Sequence, residues 1–288
     1  MQVTMLADAR PRPRRLAIGE FDGVHLGHRA VIDGSDTVLT FEPHPRSVIT
    51  PGRAPRLLTS LEVKAELVAG LGVRELIVIP FDERFAARAA SEFVDAELVG
   101  RLGVTHVSVG ENFRFGHAGA GDPGMLAADG RFETRVVALV QVDGEVVSSS
   151  HIRSLVLQGD VRRAGRLLGA PFILRGEVVH GDERGRTLGF PTANLIPDQR
   201  LVCPARGVYA ARADAGPAAV SIGVRPTFGS GLALLVEAYL LDRDVDLYGT
   251  TLQIEFIQRL RGELRFDDLD ALIEQMRRDV AETRALCG

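Results

Sequence analysis

The sequence RLAIGEFDGVHLGHRAVI, residues 15–32, joins an apolar run to a glycine-rich turn and then to the start of a helical pattern. A strand, a glycine-rich turn and a helix start form a site where backbone N–H groups and the helix dipole favour an anion. His25 and His28 lie three residues apart in this turn. Two imidazoles there suit either hydrogen bonding to phosphate oxygens or a share in a zinc site.

The rest of the first half repeats this alternation of strand and helix. Apolar strand patterns cover residues 15–19, 37–41, 75–80, 105–110 and 134–140. Helical patterns lie between them, and residues 59–72 begin with Thr59 and Glu62, which predict a capping box. Residues 33–36, DGSD, predict a turn that limits the first helix to about two turns. The alternation predicts a doubly wound parallel sheet, with ligands beyond the carboxyl ends of the strands.

The second half contains short strand patterns from residue 173 onward, separated by glycine and proline turns, and predicts an antiparallel barrel or sandwich. Alternation in residues 235–241 predicts one face with Val236, Ala238 and Leu240 and another with Glu237, Tyr239 and Leu241. Residues 266–285 predict a closing helix capped by Asp267, with an apolar face of Leu269, Leu272, Ile273, Met276 and Val280. The predicted domains are residues 1–154 and 172–288, joined by a helical linker, 155–171, near a helix break at Gly159.

Composition narrows the function classes. The 288 residues are 45% hydrophobic and 25% charged with a formal net charge of −4, which predicts a globular cytoplasmic protein without nucleic-acid or membrane partners. Only Cys203 and Cys287 are present, which argues against a disulfide framework or zinc finger. Lys64 is the only lysine, and no glycine-rich phosphate loop precedes it, so phosphate handling is expected to use histidine, arginine, backbone amides and a metal. The sequence does not determine the oligomeric state, and it is compatible with weak self-association.

Several multi-residue motifs follow one another in order along the chain. They are EFDGVHLGH (20–28), TFEPHP (40–45), GENFRFG (110–116), SSSHIR (148–153), GEVVHGDERGRTLGFPTANL (176–195), GVYA (207–210), SIGVRPTFG (221–229), VEAYLLDRDVDLYG (236–249) and FIQRLRGELRF (256–266). Together they resemble the prokaryotic bifunctional riboflavin kinase/FAD synthetase family over almost the whole chain. The resemblance implies an N-terminal Rossmann-like HxGH nucleotidyltransferase domain and a C-terminal riboflavin-kinase-type antiparallel β-barrel with a terminal helix.

The resemblance implies two reactions: ATP phosphorylates riboflavin to FMN, and a second ATP adenylylates FMN to FAD. The ligands it implies are riboflavin, FMN, FAD, ATP and ADP, with Mg²⁺ as cofactor in both steps. In the adenylyltransferase module, His25 and His28 would hold the ATP phosphates. The ATP site would also include Gly19, Phe21, Asp22, Gly23, Ser149 and Arg153, and the FMN site His44, Asn112 and Arg114. Without the motifs, Asp22 could equally cap a helix and His44 could be a hydrogen-bonded loop histidine.

In the kinase module, Thr192 and Asn194 are expected on one side of an extended segment, where they could bind Mg²⁺ and phosphate oxygens. The resemblance implies that both contact Mg-ATP, with Gly181 and Arg186 completing the ATP site. Glu237 is the candidate general base, although an exposed strand carboxylate is the alternative without the motif. Arg225, Tyr248, Arg259 and Arg261 are predicted to line the flavin site, and Tyr209 to lie in the core.

Two departures from the family pattern leave alternatives open. Only residues 29–39 separate His28 from Thr40, which shortens the first helix, and Ser150 stands where threonine is usual. One alternative is therefore a riboflavin kinase with an impaired adenylyltransferase module. A second is a non-catalytic flavin-binding regulator. An adenylyltransferase of nicotinate or pantetheine phosphates would leave the second half unexplained.

Overall fold

The structure, a computed structural model, describes residues 1–180, 190–227, 231–243, 245 and 247–288, with the side chains of 225–227 and 231–233 outside the description. These residues divide into two compact units, Met1–Ser149 and Ser150–Gly288. The first unit contains strands β1 Gln2–Met5, β2 Arg14–Ile18, β3 Thr37–Glu42, β4 Glu75–Pro80, β5 Val104–Gly110, β6 Glu133–Val137, β7 Gln141–Val142 and β8 Glu145–Val146. Its α-helices are α1 Leu26–Ile32, α2 Pro45–Ile49, α3 Leu61–Ala69, α4 Glu83–Ala86, α5 Ala90–Glu92 and α6 Pro123–Ala128.

The first six strands form a parallel sheet in the order β1-β4-β3-β2-β5-β6, as predicted. Three successive residues of the central strand β2 are buried on opposite sides of the sheet; Leu16 and Ile18 pack in one cluster and Ala17 in another. Burial on both faces explains the continuous apolar runs in the sequence. β1, a short edge strand that pairs with Glu75–Val78 of β4, was not predicted from the sequence.

One local prediction in this unit was wrong. Ser60, not Thr59, caps α3, because its hydroxyl accepts a hydrogen bond from Val63 N at 3.3 Å. The Thr59 hydroxyl instead accepts from Gly23 N at 3.1 Å, so a tertiary contact takes the side chain that the capping box required. The sequence also has a helical pattern at residues 91–103, SEFVDAELVGRLG, and the structure confirms a helix there: α5 continues into a π-helix, Phe93–Arg101.

The second unit contains helices α7 Ser149–Gln158, which begins at the boundary, α8 Val161–Leu168 and α9 Leu269–Cys287. Its strands are β9 Phe172–Val179, β10 Thr192–Pro197, β11 Gly207–Ala213, β12 Gly216–Thr227, β13 Gly231–Leu240 and β14 Thr251–Arg261. They form a closed antiparallel barrel in the order β10-β13-β12-β11-β14-β9. Tyr209, Ile222, Val236 and Ile254 fill its core, so the predicted barrel and the predicted core position of Tyr209 are confirmed.

Details of the second unit refine the sequence predictions. Val236, Ala238 and Leu240 are buried as expected, but Leu241 is buried too, because β13 has ended before it. Gly159 separates α7 from α8 at φ +83°, and a Cβ atom there would lie 2.8 Å from the Tyr209 hydroxyl. Only glycine tolerates both that dihedral and that approach.

The closing helix also differs from its prediction. Asp268, not Asp267, caps α9 by accepting from Ala271 N at 2.8 Å. Leu269 is 54% exposed and lies outside the packed face, on which Asp279 and Thr283 are among the buried residues.

Two candidate active sites

The histidine turn connects the carboxyl end of β2 to α1. His25 is the N-cap of α1, and its Nδ1 accepts a hydrogen bond from His28 N at 3.2 Å. A neutral imidazole that accepts at Nδ1 carries its proton at Nε2. The rings of His25 and His28 stack with centroids 3.5 Å apart and planes inclined by 15°. The turn therefore presents two adjacent imidazoles at a helix N-terminus.

Burial keeps both imidazoles neutral. It lowers the pKa of His25 to about 4. Burial also holds the pKa of His28 well below its usual value, with smaller electrostatic contributions from His25 and Lys64. His28 Nδ1 is buried without a hydrogen-bond partner among the described residues. A buried polar atom without a partner is unfavourable and is characteristic of sites that act on a ligand.

The backbone of the turn is strained and held from outside. Phe21 and Val24 have φ of +51° and +42°, a region that non-glycine residues avoid. Asp22 Oδ1 accepts hydrogen bonds from Leu58 N at 2.8 Å and Thr59 N at 3.1 Å. Asp22 therefore anchors the turn to the segment before α3 and does not cap α1. Strain maintained by surrounding contacts is typical of functional turns.

The remaining predicted adenylyltransferase residues occupy several positions. Gly19 and Gly23 lie in the turn, and the Ser149 hydroxyl donates to Asp22 O at 2.9 Å. Asn112 and Arg114 are exposed just after β5. Arg153 lies on α7 in the second unit.

His44 follows β3 and has both ring nitrogens engaged. Its Nδ1 accepts from Arg46 N at 3.1 Å as the N-cap of α2, and its Nε2 lies 2.7 Å from Glu20 Oε2. Burial alone would raise the pKa of Glu20, but the hydrogen bond and charge of His44 lower it below its usual value. Glu20 was not among the predicted site residues, and the available signal for it was its position inside the motif EFDGVHLGH.

The kinase candidates meet on two adjacent barrel strands. The register of β10 and β13 places Asn194 opposite Glu237 and Thr192 opposite Tyr239. Residues opposite each other on antiparallel strands point to the same face. Asn194 is 7% exposed and Glu237 is half-buried, on the face opposite Val236 and Ala238. The amide, the hydroxyl and the carboxylate thus share one face of the barrel.

The residues predicted to bind flavin make different kinds of contact in the structure. The Tyr248 ring stacks on His180, with centroids 3.7 Å apart and planes inclined by 21°. The Arg261 guanidinium donates to Asp279 through Nε at 3.1 Å and through Nη2 at 2.8 Å, which ties β14 to α9. Arg259 Nη2 donates to Arg206 O. Gly181 and Arg186 lie outside the described residues, as does the Arg225 side chain, and the flavin roles stay predictions.

Metal binding by protein side chains alone finds no support in the described chain. Among the residues with described positions, no group of three or more histidine, cysteine, aspartate and glutamate side chains could hold a metal ion. Within the same part of the chain, no helix combines the length and apolarity that crossing a bilayer requires.

Lowering the pH is expected to destabilise the first unit through His25. The folded protein binds a proton there with a pKa of about 4, against 6.5 for the ordinary side chain. Between these values the unfolded chain holds more protons, so the free energy of unfolding falls as the pH is lowered. The contribution of His25 should decrease by about 2 kcal/mol between pH 7 and pH 5. Urea unfolding of the wild-type chain and of the His25→Asn variant, each at pH 7 and pH 5, measures this contribution. If the free energy of unfolding depended on pH equally in the two proteins, the low pKa of His25 would be contradicted.

Each of the two units matches the model of a known protein family. Residues 7–151 match the family model described as FAD synthetase, and residues 168–287 match that described as riboflavin kinase. The bifunctional riboflavin kinase/FMN adenylyltransferase of Listeria monocytogenes is 40% identical over 287 residues, which cover 94% of this chain and 91% of that protein. The protein of the same description from Escherichia coli K12 is 38% identical over 291 residues, covering 95% and 92%. A crystal structure described as a macrolide-efflux protein from Streptococcus pneumoniae aligns with a TM-score of 0.90 and 30% identity over 99% of both chains.

Proposed function

Because the chain belongs to the family of bifunctional riboflavin kinase/FMN adenylyltransferases, we propose that its two candidate sites perform the two reactions with the residues described above. The chain phosphorylates riboflavin to FMN and adenylylates FMN to FAD, with ATP as co-substrate in both steps. The matched ranges support a proposal in which the first unit carries adenylyl transfer and the second carries phosphoryl transfer.

Adenylyl transfer is proposed to use His25 and His28 as neutral hydrogen-bond donors to the ATP phosphates. The FMN phosphate attacks the α-phosphorus, the bond to the pyrophosphate oxygen breaks, and neither histidine becomes a nucleophile. The protein then contributes orientation and stabilisation of developing negative charge. Two observations support this role: the imidazoles stack at the α1 N-terminus, and the buried His28 Nδ1 atom has no hydrogen-bond partner among the residues that the structure describes.

Phosphoryl transfer is proposed to use Glu237 as general base. Its carboxylate accepts the proton of the ribityl 5′-hydroxyl while that oxygen attacks the γ-phosphorus of ATP, and the bond from that phosphorus to the bridging oxygen breaks so that ADP leaves. The observation that carries this assignment is the register that sets Glu237 beside Asn194. A base and a phosphate-binding amide on one face can act on the same phosphoryl group.

Thr192 and Asn194 are the proposed Mg²⁺ ligands. Mg²⁺ prefers oxygen ligands and is usually held by one or two protein groups together with substrate phosphates and water. A hydroxyl and an amide oxygen two residues apart on β10 fit that requirement. When bound, Mg²⁺ neutralises part of the phosphate charge.

Tyr248 and Arg225 remain proposed flavin contacts, whereas the ion pair of Arg261 with Asp279 favours a structural role for that arginine. A cytoplasmic location, the absence of nucleic-acid and membrane partners, and weak self-association stay predictions.

Incubation of the purified chain with riboflavin, ATP and Mg²⁺ is expected to yield FMN first and FAD later, because the first product is the second substrate. Separation of flavins by chromatography at successive times measures both steps, and chelation of Mg²⁺ should stop them. FMN that accumulates without FAD, even when FMN is supplied directly, would indicate an impaired adenylyltransferase module. Flavin binding without either product would indicate the non-catalytic regulator.

A further inference from the structure

Lys64, the only lysine in the sequence, is buried inside the first unit. It lies on α3, is 6% exposed, and donates from Nζ to Thr40 Oγ1 at 3.3 Å. The Thr40 hydroxyl in turn donates to Glu20 O at 3.0 Å. Lysine side chains normally extend to solvent, so a buried ammonium requires a compensating arrangement. The residues proposed above for the two reactions do not include Lys64.

Carboxylates of the histidine turn and of the end of β3 supply that compensation. Burial lowers the pKa of Lys64, and the charges of Asp22, Glu42 and Glu20 oppose the decrease. Removal of the lysine would make the charge around these three carboxylates more negative by one unit, although His44 and Arg46 also lie near Glu20. The imidazoles of the turn are neutral and do not offset this charge. A triphosphate approaching the turn would therefore meet stronger repulsion if the ammonium were removed.

The chain segment that carries Lys64 also holds the turn through other contacts. Leu58 N and Thr59 N donate to Asp22 Oδ1, and the Thr59 hydroxyl accepts from Gly23 N. Lys64 adds a contact from the same side through Thr40 to the Glu20 carbonyl. The segment 58–64 therefore fixes the turn at three positions, Glu20, Asp22 and Gly23. Precise placement of such a turn matters, since misplacement of a binding group by about 1 Å can reduce a rate about a hundred-fold.

We propose that Lys64 is a positioning residue for adenylyl transfer: its buried ammonium ties α3 and β3 to the histidine turn and offsets the surrounding carboxylates. The inference rests on the proposed role of that turn in binding ATP. Lys64 acts through Thr40 and the turn and does not itself contact the reacting phosphorus.

Lys64→Met removes the charge but retains an unbranched apolar stem, and Lys64→Arg retains the charge. Adenylyl transfer is measured from supplied FMN, so that phosphoryl transfer by the same chain serves as an internal control. Lys64→Met should lower kcat/KM for ATP about a hundred-fold with a higher KM, and Lys64→Arg should recover at least about ten-fold of that loss. Kinase parameters should equal those of the wild type in both variants.

The outcomes separate positioning from stability alone. A Lys64→Met protein that melts at a lower temperature but keeps, below that temperature, kcat and KM within about three-fold of wild type would overturn the proposal. If Lys64→Met does not fold, Thr40→Val decides, with Thr40→Ser as its matched control. Loss of the hydroxyl should lower adenylyl-transfer kcat/KM about ten-fold in the valine variant only. Equal values in the two Thr40 variants would overturn the proposal, whereas a wild-type chain without FAD formation would refute the function of the turn itself.

Discussion

The Glu237→Gln variant is expected to phosphorylate riboflavin about a thousand-fold more slowly than the wild-type chain, because a positioned general base contributes about 10²- to 10⁴-fold. Glutamine keeps the size of the side chain and its place opposite Asn194 but cannot accept the hydroxyl proton. The loss should fall on kcat for FMN formation at saturating ATP, riboflavin and Mg²⁺. KM for ATP should change little, since proton removal occurs only as the reaction proceeds.

Two controls isolate the role of this carboxylate. Glu255→Gln makes the same substitution at another half-buried position of the barrel, on β14, and should leave FMN formation near the wild-type rate. Adenylyl transfer from supplied FMN by Glu237→Gln should also be unaffected, because that reaction belongs to the other unit. A folded Glu237→Gln protein that retains more than about a tenth of the wild-type kcat would exclude Glu237 as the base.

In the candidate kinase site, the sequence predicted the orientation of Glu237 but not the strand beside it. Alternation in β13 correctly separated Glu237 from its buried neighbours, because a strand places successive side chains on opposite faces. The strand that lies beside Glu237 could not be inferred in this way. Asn194 is distant in the sequence, and closure of the barrel, not local periodicity, sets the register between β10 and β13. The Arg261 pair with Asp279 depends in the same way on how α9 packs against the barrel.

In the candidate adenylyltransferase site, the sequence predicted the sheet and the histidine turn but not the tertiary contacts around the turn. The parallel sheet and the histidine turn followed from the spacing of apolar residues and glycines, and the structure contains both. The role of Thr59 was misread because a local rule cannot anticipate its hydrogen bond to Gly23. Lys64 was set aside because no phosphate loop precedes it, yet the fold brings it to Thr40 and the turn. The protonation state of His25 could not be predicted either, since its low pKa arises from burial in the folded protein.

His25→Asn is expected to reduce adenylyl transfer by about 10²- to 10³-fold, the effect of removing one donor that stabilises developing charge. Asparagine is among the preferred N-cap residues, so it can replace His25 Nδ1 as acceptor for His28 N. It lacks the imidazole Nε2–H and the ring that stacks on His28. The measurement is kcat and KM for FAD formation from supplied FMN and ATP, with riboflavin phosphorylation by the same protein as internal control.

Comparison with His25→Ala separates catalysis from helix capping. Alanine removes both the donor and the cap, and loss of an N-cap typically destabilises a protein by about 1 kcal/mol. Both variants should therefore lose adenylyl transfer to a similar extent, while only His25→Ala should also show the lower unfolding free energy. If His25→Asn instead formed FAD within about ten-fold of the wild-type rate and only His25→Ala were impaired, the imidazole would serve as a cap alone. Phosphate binding at the turn would then have to rest on His28 and the backbone amides of α1.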